Sequence, residues 1–168
     1  IPQGESSNAF TYVHDAYATV CGFAGVKPPP EIDSRDLSPI MQGNASKVRD
    51  SVFLPFQDNQ RSINDGRWKL HIYPQINHQL LFDLKSDPHE MNNLAEGPSH
   101  AAEVERLTAL MQSWRTRLGD NDPLSVKNPK PKIPVYSNSN RTLDVWQPKW
   151  IRDKYFDGRD NPNRGSGK

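Results

Sequence analysis

The sequence predicts an α+β fold in which one long C-terminal helix packs on a small antiparallel sheet. Asp65-Gly66 stands between two apolar runs, and this dipeptide favours a hairpin because glycine tolerates the positive φ of such turns. Residues 68–73 alternate apolar and polar side chains, which is typical of a strand with one buried face. Between 100 and 118 the apolar residues recur instead at helical spacing. Strands followed by an amphipathic helix predict a two-layer unit.

The segment before the sheet predicts two helices. Apolar residues recur at helical spacing over about residues 15–24, and Gly25 then offers a C-terminal stop. These positions are Ala16, Tyr17, Val20, Cys21 and Ala24. Prolines 28–30 predict a stiff connector, and Pro39 suits the first turn of a short helix at about 36–42. We also expect a short strand at 10–13.

The remaining strands and the end of the chain follow from apolar runs and prolines. Residues 52–56 predict the strand that opens the sheet, and residues 79–84 predict a further strand that ends before the turn at Asp87-Pro88. The long helix ends at Gly119. Several prolines after it predict a long irregular tail over 120–168, with a short helix after Pro148 and a disordered end.

Composition excludes some classes of partner. The chain has 168 residues and a formal net charge of +1, which gives no electrostatic case for binding nucleic acid or an anionic membrane. No apolar run is long enough to span a bilayer. Apolar residues make up 34% of the chain and prolines number 15, so we expect a modest core. One cysteine cannot form an internal disulfide.

An ordered set of short motifs runs through the chain. Between 60 and 95 it comprises Arg61, Asp-Gly-Arg-Trp-Lys-Leu at 65–70, Leu-Phe-Asp-Leu at 81–84 and Asp-Pro-x-Glu-x-x-Asn-Leu-Ala at 87–95. Further matches are Asp15, Thr19, Ala24, Gly25, Asp33, Leu37, Pro39 and Gly43, with departures at Ala18, Ser34 and Asp36. This order and spacing resembles the C-terminal portion of the sulfatases, the sulfuric ester hydrolases of the alkaline-phosphatase-like superfamily.

The resemblance implies a division of the chain and a partner for it. Residues 1–45 correspond to the edge of an N-terminal α/β catalytic domain, 46–119 to the C-terminal subdomain and 120–168 to the tail. Sulfatases use a formylglycine nucleophile and a divalent cation, commonly calcium, both held by the N-terminal domain. We therefore expect the sequence to begin inside a longer protein and to hold no cofactor itself. The resemblance favours a periplasmic or secreted location, which the sequence alone leaves unknown.

The resemblance to the sulfatases assigns no catalytic residue to this chain. Formylglycine arises from Cys or Ser in the pattern Cys/Ser-x-Pro/Ala-x-Arg, which neither Cys21 nor any serine here fits. We expect Cys21 to be a buried helical thiol. Asp83, Asp87 and Glu90 lack the ligand spacing of a calcium loop and are interpreted as turn-forming acids that accept backbone N–H bonds. The five histidines show no pair at metal-ligand spacing.

Substrate recognition remains as a role for this chain. A sulfated sugar requires hydrogen-bond donors, and arginine favours anions because of its planar fork. The candidates are Gln60, Arg61 and His71. The alternative for Arg61 is an ion pair with Asp58 or Asp65, or extension into solvent. Asn64 stands where the resembled pattern often has a second Arg. The resemblance therefore does not establish a pair of arginines that binds an anion here.

Two functions of different class follow. The favoured hypothesis is the C-terminal fragment of a sulfatase acting on a sulfated carbohydrate, inactive alone and contributing packing and part of the substrate cleft. The alternative is a stand-alone carbohydrate-binding or interaction module derived from that subdomain, with phosphate ester cleavage as a weaker third reading. An exposed apolar face would favour the first hypothesis, and a fully covered core would favour the second.

Overall fold

The computed structural model describes residues 4–132, 148 and 150. Its contacts divide the chain into residues 1–130 and 131–168, and the elements below all belong to the first unit. In chain order they are α1 (Asp15–Phe23), α2 (Ser38–Met41), β1 (Val52–Phe56), β2 (Gln60–Asn64), β3 (Trp68–Tyr73), β4 (His78–Asp83) and α3 (Ala101–Leu118), with 3₁₀ turns at Pro74–Ile76 and Pro98–His100. The predicted α+β class is confirmed.

The four strands form one antiparallel meander in the order β1-β2-β3-β4. Asp65-Gly66 makes the predicted β2–β3 turn, where Gly66 has a φ of 99°. Asn64 Oδ1 accepts a hydrogen bond from the Gly66 N–H at 2.8 Å, and Asp65 Oδ1 accepts one from the Trp68 N–H at 2.7 Å. The side chains of Asn64 and Asp65 thus bond to the backbone of the turn and help to fix the register that places Ile63 opposite Leu70.

The core lies between the sheet and α3. Leu107 and Met111 of the helix are fully buried against apolar residues of the strands. Those strand residues are Phe53, Ile63, Leu70, Ile72 and Leu81. Trp68 and Trp114 pack against this cluster, and Trp114 Nε1 donates to Ser51 Oγ at 2.8 Å. The indole N–H therefore keeps a partner inside the interface.

Helix α1 forms as predicted, but it buries a different face from the one its apolar residues indicate. Asp15, Ala18 and Thr19 are buried, whereas Tyr17 and Val20 are 54% and 65% exposed. The buried side is occupied by a polar network, because Thr19 Oγ1 accepts from the Leu37 N–H at 2.9 Å while donating to the Asp15 carbonyl oxygen. Cys21 is half-buried rather than buried.

The strand expected at 10–13 does not form. A side chain, rather than the backbone, joins this segment to β1: the Tyr12 hydroxyl donates to the Phe53 carbonyl oxygen at 2.8 Å and accepts from the Phe53 N–H at 2.7 Å. This pairing occupies the backbone groups of Phe53 that an added strand would use.

The segment after α3 is irregular, as predicted, but it is fastened to the domain. Asn77 Nδ2 donates to the Val126 carbonyl oxygen at 2.8 Å and Asn77 Oδ1 accepts from the Val126 N–H at 2.9 Å. The Lys130 N–H donates to the Gln75 carbonyl oxygen at 2.7 Å. The helix predicted after Pro148 and the disordered end lie outside the described residues, apart from Pro148 and Trp150 themselves.

Candidate functional site

The two faces of the sheet differ in what they carry. One face holds the core residues under α3. The alternating strand residues form the second face, which we call the outer face. It comprises Val52, Leu54, Phe56, Gln60, Ser62, Asn64, Lys69, His71, Tyr73, His78, Leu80 and Phe82. Leu54 and Phe56 at its β1 side are 48% and 61% exposed, while polar residues lie toward β3.

The outer face brings two of the predicted site residues together. Gln60 Nε2 lies 2.9 Å from His71 Nδ1. The His71 side chain is 12% exposed. Its ring stacks on that of Tyr73, with the ring centroids 6.3 Å apart, and lies edge-on to that of Phe82, with the centroids 6.1 Å apart. The imidazole is thus held between two aromatic rings, with one nitrogen directed at the Gln60 amide.

Sequence reasoning did not find the acid that completes this cluster. Glu90 lies in the loop after β4, its Oε2 is 3.5 Å from His71 Nε2 and its Oε1 accepts from Lys69 Nζ at 2.7 Å. Glu90 has a φ of 56°, which is uncommon for a residue other than glycine. The interpretation as a turn-forming acid is confirmed for Asp87, which accepts from the Met91 and Asn92 N–H groups, but Glu90 bonds to Lys69 instead.

The charges of the cluster follow from its surroundings. Burial lowers the pKa of His71, the Lys69 ammonium lowers it further, and Glu90 opposes both without reversing the shift. Burial raises the pKa of Glu90, but the hydrogen bond and charge of Lys69 outweigh it and the net shift is downward. At neutral pH the cluster therefore holds a carboxylate, an ammonium and a neutral imidazole.

Arg61 lies away from the other two candidates, on the face of the sheet that α3 covers. It is 2% exposed and donates to both carboxylate oxygens of Asp120 at 2.7 and 3.0 Å and to Asp122 at 2.7 Å. Its Nη1 donates to the carbonyl oxygens of Gln57 and Gln60. All five N–H groups of its guanidinium are thereby engaged. The expected partners Asp58 and Asp65 were wrong, because the fold brings the segment after α3 to this arginine.

Two surface depressions lie outside the outer face. The larger, about 550 Å³, includes Lys47, Arg49 and Arg106 in its lining. Each of these cations is paired with a carboxylate, so the depression offers no strong site for an anion. The smaller, about 390 Å³, is lined mainly by Tyr17, Pro29, Ile32 and His14 and lies beside α1.

Neither a metal centre nor a membrane span is found in the described part of the chain. Within these residues no group of three or more His, Cys, Asp or Glu side chains could hold a metal ion. The described helices include none that is long and apolar enough to cross a bilayer.

An apolar stripe runs along the solvent side of α1. We call it the α1 patch, and its residues are Val13, Tyr17, Val20, Phe23 and Val26. Tyr17, Val20 and Phe23 are each more than half exposed, and Val13 is 96% exposed. Tyr17 and Val20 stand three residues apart within α1, so they share one side of the helix, and Val13 lies in the turn just before it. Exposed apolar patches are typical of interaction surfaces.

Comparison with known proteins identifies relatives for most of the chain. The family model for the C-terminal domain of N-sulphoglucosamine sulphohydrolase matches residues 1–117. An N-acetylglucosamine-6-O-sulfatase of Bacteroides thetaiotaomicron is 27% identical over 135 residues, which cover 73% of this chain and 24% of the relative. An ulvan-active sulfatase of Formosa agariphila is 27% identical over 158 residues, covering 71% of this chain and 32% of the relative.

A solved structure shares the fold. It is a protein in complex with its substrate D-glucosamine-2-N,6-O-disulfate, and it superposes with a TM-score of 0.65 at 26% identity, covering 74% of this chain and 28% of that one. The chain thus spans about a quarter to a third of the length of the curated relatives it matches.

Proposed function

We propose, from the premise that the chain belongs to the family of the C-terminal domain of N-sulphoglucosamine sulphohydrolase, that it forms the C-terminal part of a sulfatase acting on a sulfated carbohydrate. The two relatives named above are an N-acetylglucosamine-6-O-sulfatase and an ulvan-active sulfatase, and this chain corresponds to only part of each. In this proposal a catalytic domain supplies the formylglycine nucleophile and the cation, commonly calcium. The chain supplies packing and one wall of the substrate cleft.

The α1 patch is the observation that carries the proposal. Burying a Val or Phe side chain contributes about 1.5–3 kcal/mol, so several such side chains left in water are a substantial loss for an isolated module. The sheet and α3 have a buried core of their own, but α1 turns its apolar side outward and its polar side inward. A catalytic domain packed on the α1 patch accounts for this inversion, and a stand-alone binding module does not.

The outer face supplies the recognition groups. Gln60 and His71 are adjacent there, and an amide and an imidazole match the hydroxyl groups of a sugar as donors and acceptors. Arg61 contributes indirectly, since its ion pairs tie β2 to the segment after α3. No residue of the described chain is assigned a role in breaking the sulfate ester.

Sulfate release by the parent protein tests this proposal. The parent reading frame, expressed with a formylglycine-generating enzyme, is expected to release sulfate from a 6-O-sulfated glucosamine. The 168-residue chain alone is expected to release none from that sugar or from an aryl sulfate. Hydrolysis by the chain alone would contradict the division of labour. A parent that cleaves phosphate monoesters but no sulfate ester would contradict the reaction class.

A further inference from the structure

We propose that Glu90 is a positioning residue that fixes the tautomer of His71 and, through it, the orientation of the Gln60 amide toward the sugar. This inference rests on the proposed function for its ligand, although its first step concerns the chain alone. It assigns Gln60 as the group that contacts the substrate, with His71 and Glu90 behind it. Lys69, Glu90, His71 and Gln60 form a chain of contacts across the outer face: hydrogen bonds join Lys69 to Glu90 and Gln60 to His71, and Glu90 Oε2 lies 3.5 Å from His71 Nε2 between them.

The first step is the choice of tautomer. An ionised carboxylate can only accept hydrogen bonds, so the imidazole nitrogen that faces Glu90 is stabilised when it carries the proton. Nε2 is that nitrogen, at 3.5 Å from Glu90 Oε2. A neutral imidazole protonated at Nε2 has an unprotonated Nδ1, which must accept.

The second step is the choice of amide rotamer. With Nδ1 as an acceptor, Gln60 presents its NH₂ group to His71 and turns its carbonyl oxygen away, which is the arrangement observed at 2.9 Å. Among the described residues Gln60 Oε1 makes no hydrogen bond. It is therefore available as an acceptor for a sugar hydroxyl, together with the second N–H of the same amide.

Besides Gln60, four groups in the described part of the chain face His71, and the net effect of its surroundings favours the neutral form although Glu90 opposes it. Lys69 and Tyr73 belong to its own strand, Phe82 to β4 and Glu90 to the following loop. Burial and the Lys69 charge lower the pKa of His71. The neutral imidazole therefore persists to a pH below the ordinary pKa of histidine. Once His71 is protonated, both ring nitrogens donate and Gln60 must present its oxygen inward instead.

Nitrogen-15 NMR of the imidazole tests this inference in the 168-residue chain. The wild type is expected to show His71 as the Nε2–H tautomer at neutral pH. Glu90→Gln keeps the shape of the side chain but offers both an acceptor and a donor to Nε2 of His71. It is therefore expected to lower the ratio of the Nε2–H to the Nδ1–H tautomer by about tenfold. Glu90→Ala should do the same, which keeps the test usable if one variant fails to fold. Glu105→Gln, at an exposed position of α3, is the matched control and should leave the spectrum unchanged.

The kinetic consequence is measured in the parent enzyme. Glu90→Gln is expected to raise KM for the sulfated sugar with little change in kcat, because it misorients a binding group and leaves the reacting groups in place. A wild-type Nδ1–H tautomer, or a Glu90→Gln spectrum identical to wild type, would overturn the inference. A parent that hydrolyses no sulfate ester would refute the proposed function but would leave the NMR result interpretable.

Discussion

At the scale of single residues, two buried arginine–aspartate sites fix segments that have little regular structure. Asp15 is fully buried and accepts from Arg49 Nη2 at 2.7 Å, from Arg49 Nη1, from the Tyr12 N–H at 2.6 Å and from the Arg35 N–H at 2.8 Å. Asp120 likewise forms ion pairs with Arg61 and Arg115. A buried pair stabilises mainly because loss of one partner leaves the other charge without compensation.

Replacing Asp15 by Asn is expected to lower the free energy of unfolding by about 3–5 kcal/mol, because Arg49 is then buried without a countercharge. The measurement is the urea midpoint of the chain at neutral pH. Asp50→Asn is the matched control, since Asp50 pairs with Lys47 at side chains that are 82% and 64% exposed. That control is expected to change stability by less than about 0.5 kcal/mol. Equal effects of the two substitutions would contradict this account.

Acid should weaken the fold through the same carboxylates. Burial raises the pKa of Asp15, but the hydrogen bonds that this carboxylate accepts outweigh burial and lower the pKa to about 2. The hydrogen bond from Arg61 is the main cause that lowers the pKa of Asp120 to about 2. Both values lie below the ordinary 3.8, so this stability is present above about pH 4 and is lost as the pH falls toward 2.

Each carboxylate is expected to account for about 2 kcal/mol of that loss. Urea unfolding of the wild type between pH 5 and about pH 2 measures the total, and the Asp15→Asn variant should show a shallower decline. A free energy of unfolding that stays constant over this range would argue against both buried pairs.

At the scale of elements, the described helices use their apolar residues differently. The apolar stripe of α3 covers the sheet, so propensity, periodicity and burial agree there. In α1 the apolar stripe faces solvent and the polar side chains of Asp15 and Thr19 face the protein. In the proposed function, α1 is therefore the element that packs against the catalytic domain.

Val20→Ser together with Phe23→Ser is expected to have opposite consequences in two contexts. In the isolated chain the pair should reduce the fluorescence of a dye that binds apolar surface and change the unfolding free energy by less than about 0.5 kcal/mol per site. In the parent protein it should cost about 1.5–3 kcal/mol per side chain, since both are then buried. Met91→Ser, at a residue 77% exposed outside the α1 patch, is the control. Unchanged stability of the parent would contradict docking through α1.

The sequence predicted those elements whose signals are local. The Asp65-Gly66 hairpin and the stripe over 101–118 depend on spacing within a few residues, and both were confirmed. The partners of Arg61 lie 59 and 61 residues away and carry no periodic signal, so they could not be read from the sequence. Periodicity also predicted α1 but not its buried face, because burial depends on what packs against a helix.

The candidate site shows the same division between local and long-range information. Alternation along β3 places Lys69 and His71 on one face, and pairing with β2 brings Gln60 to them, so this part was predictable in kind. Glu90 was missed because an acid soon after Asp87-Pro88 is typical of a turn. Its left-handed backbone, with a φ of 56°, directs the carboxylate to β3, and no local pattern indicates that conformation.

At the scale of the whole molecule, the chain combines a covered core, a polar cluster on the outer face and an uncovered apolar stripe. The core holds the sheet and α3 together. In the proposed function, the polar cluster is the surface for a substrate and the apolar stripe is the surface for a catalytic domain. Recognition and bond cleavage are then assigned to different parts of one sulfatase. The central claim is that this chain recognises the sugar while taking no part in cleaving the ester.

Comparison of two substrates in the parent enzyme tests that claim most directly. Gln60→Ala is expected to lower kcat/KM for a 6-O-sulfated glucosamine by roughly 3- to 10-fold, the usual effect of one lost hydrogen bond, and to leave kcat/KM for an aryl sulfate unchanged. Gln42→Ala, at an exposed position after α2, is the matched control and should change neither. An equal loss on both substrates, or no loss on the sugar, would contradict the account.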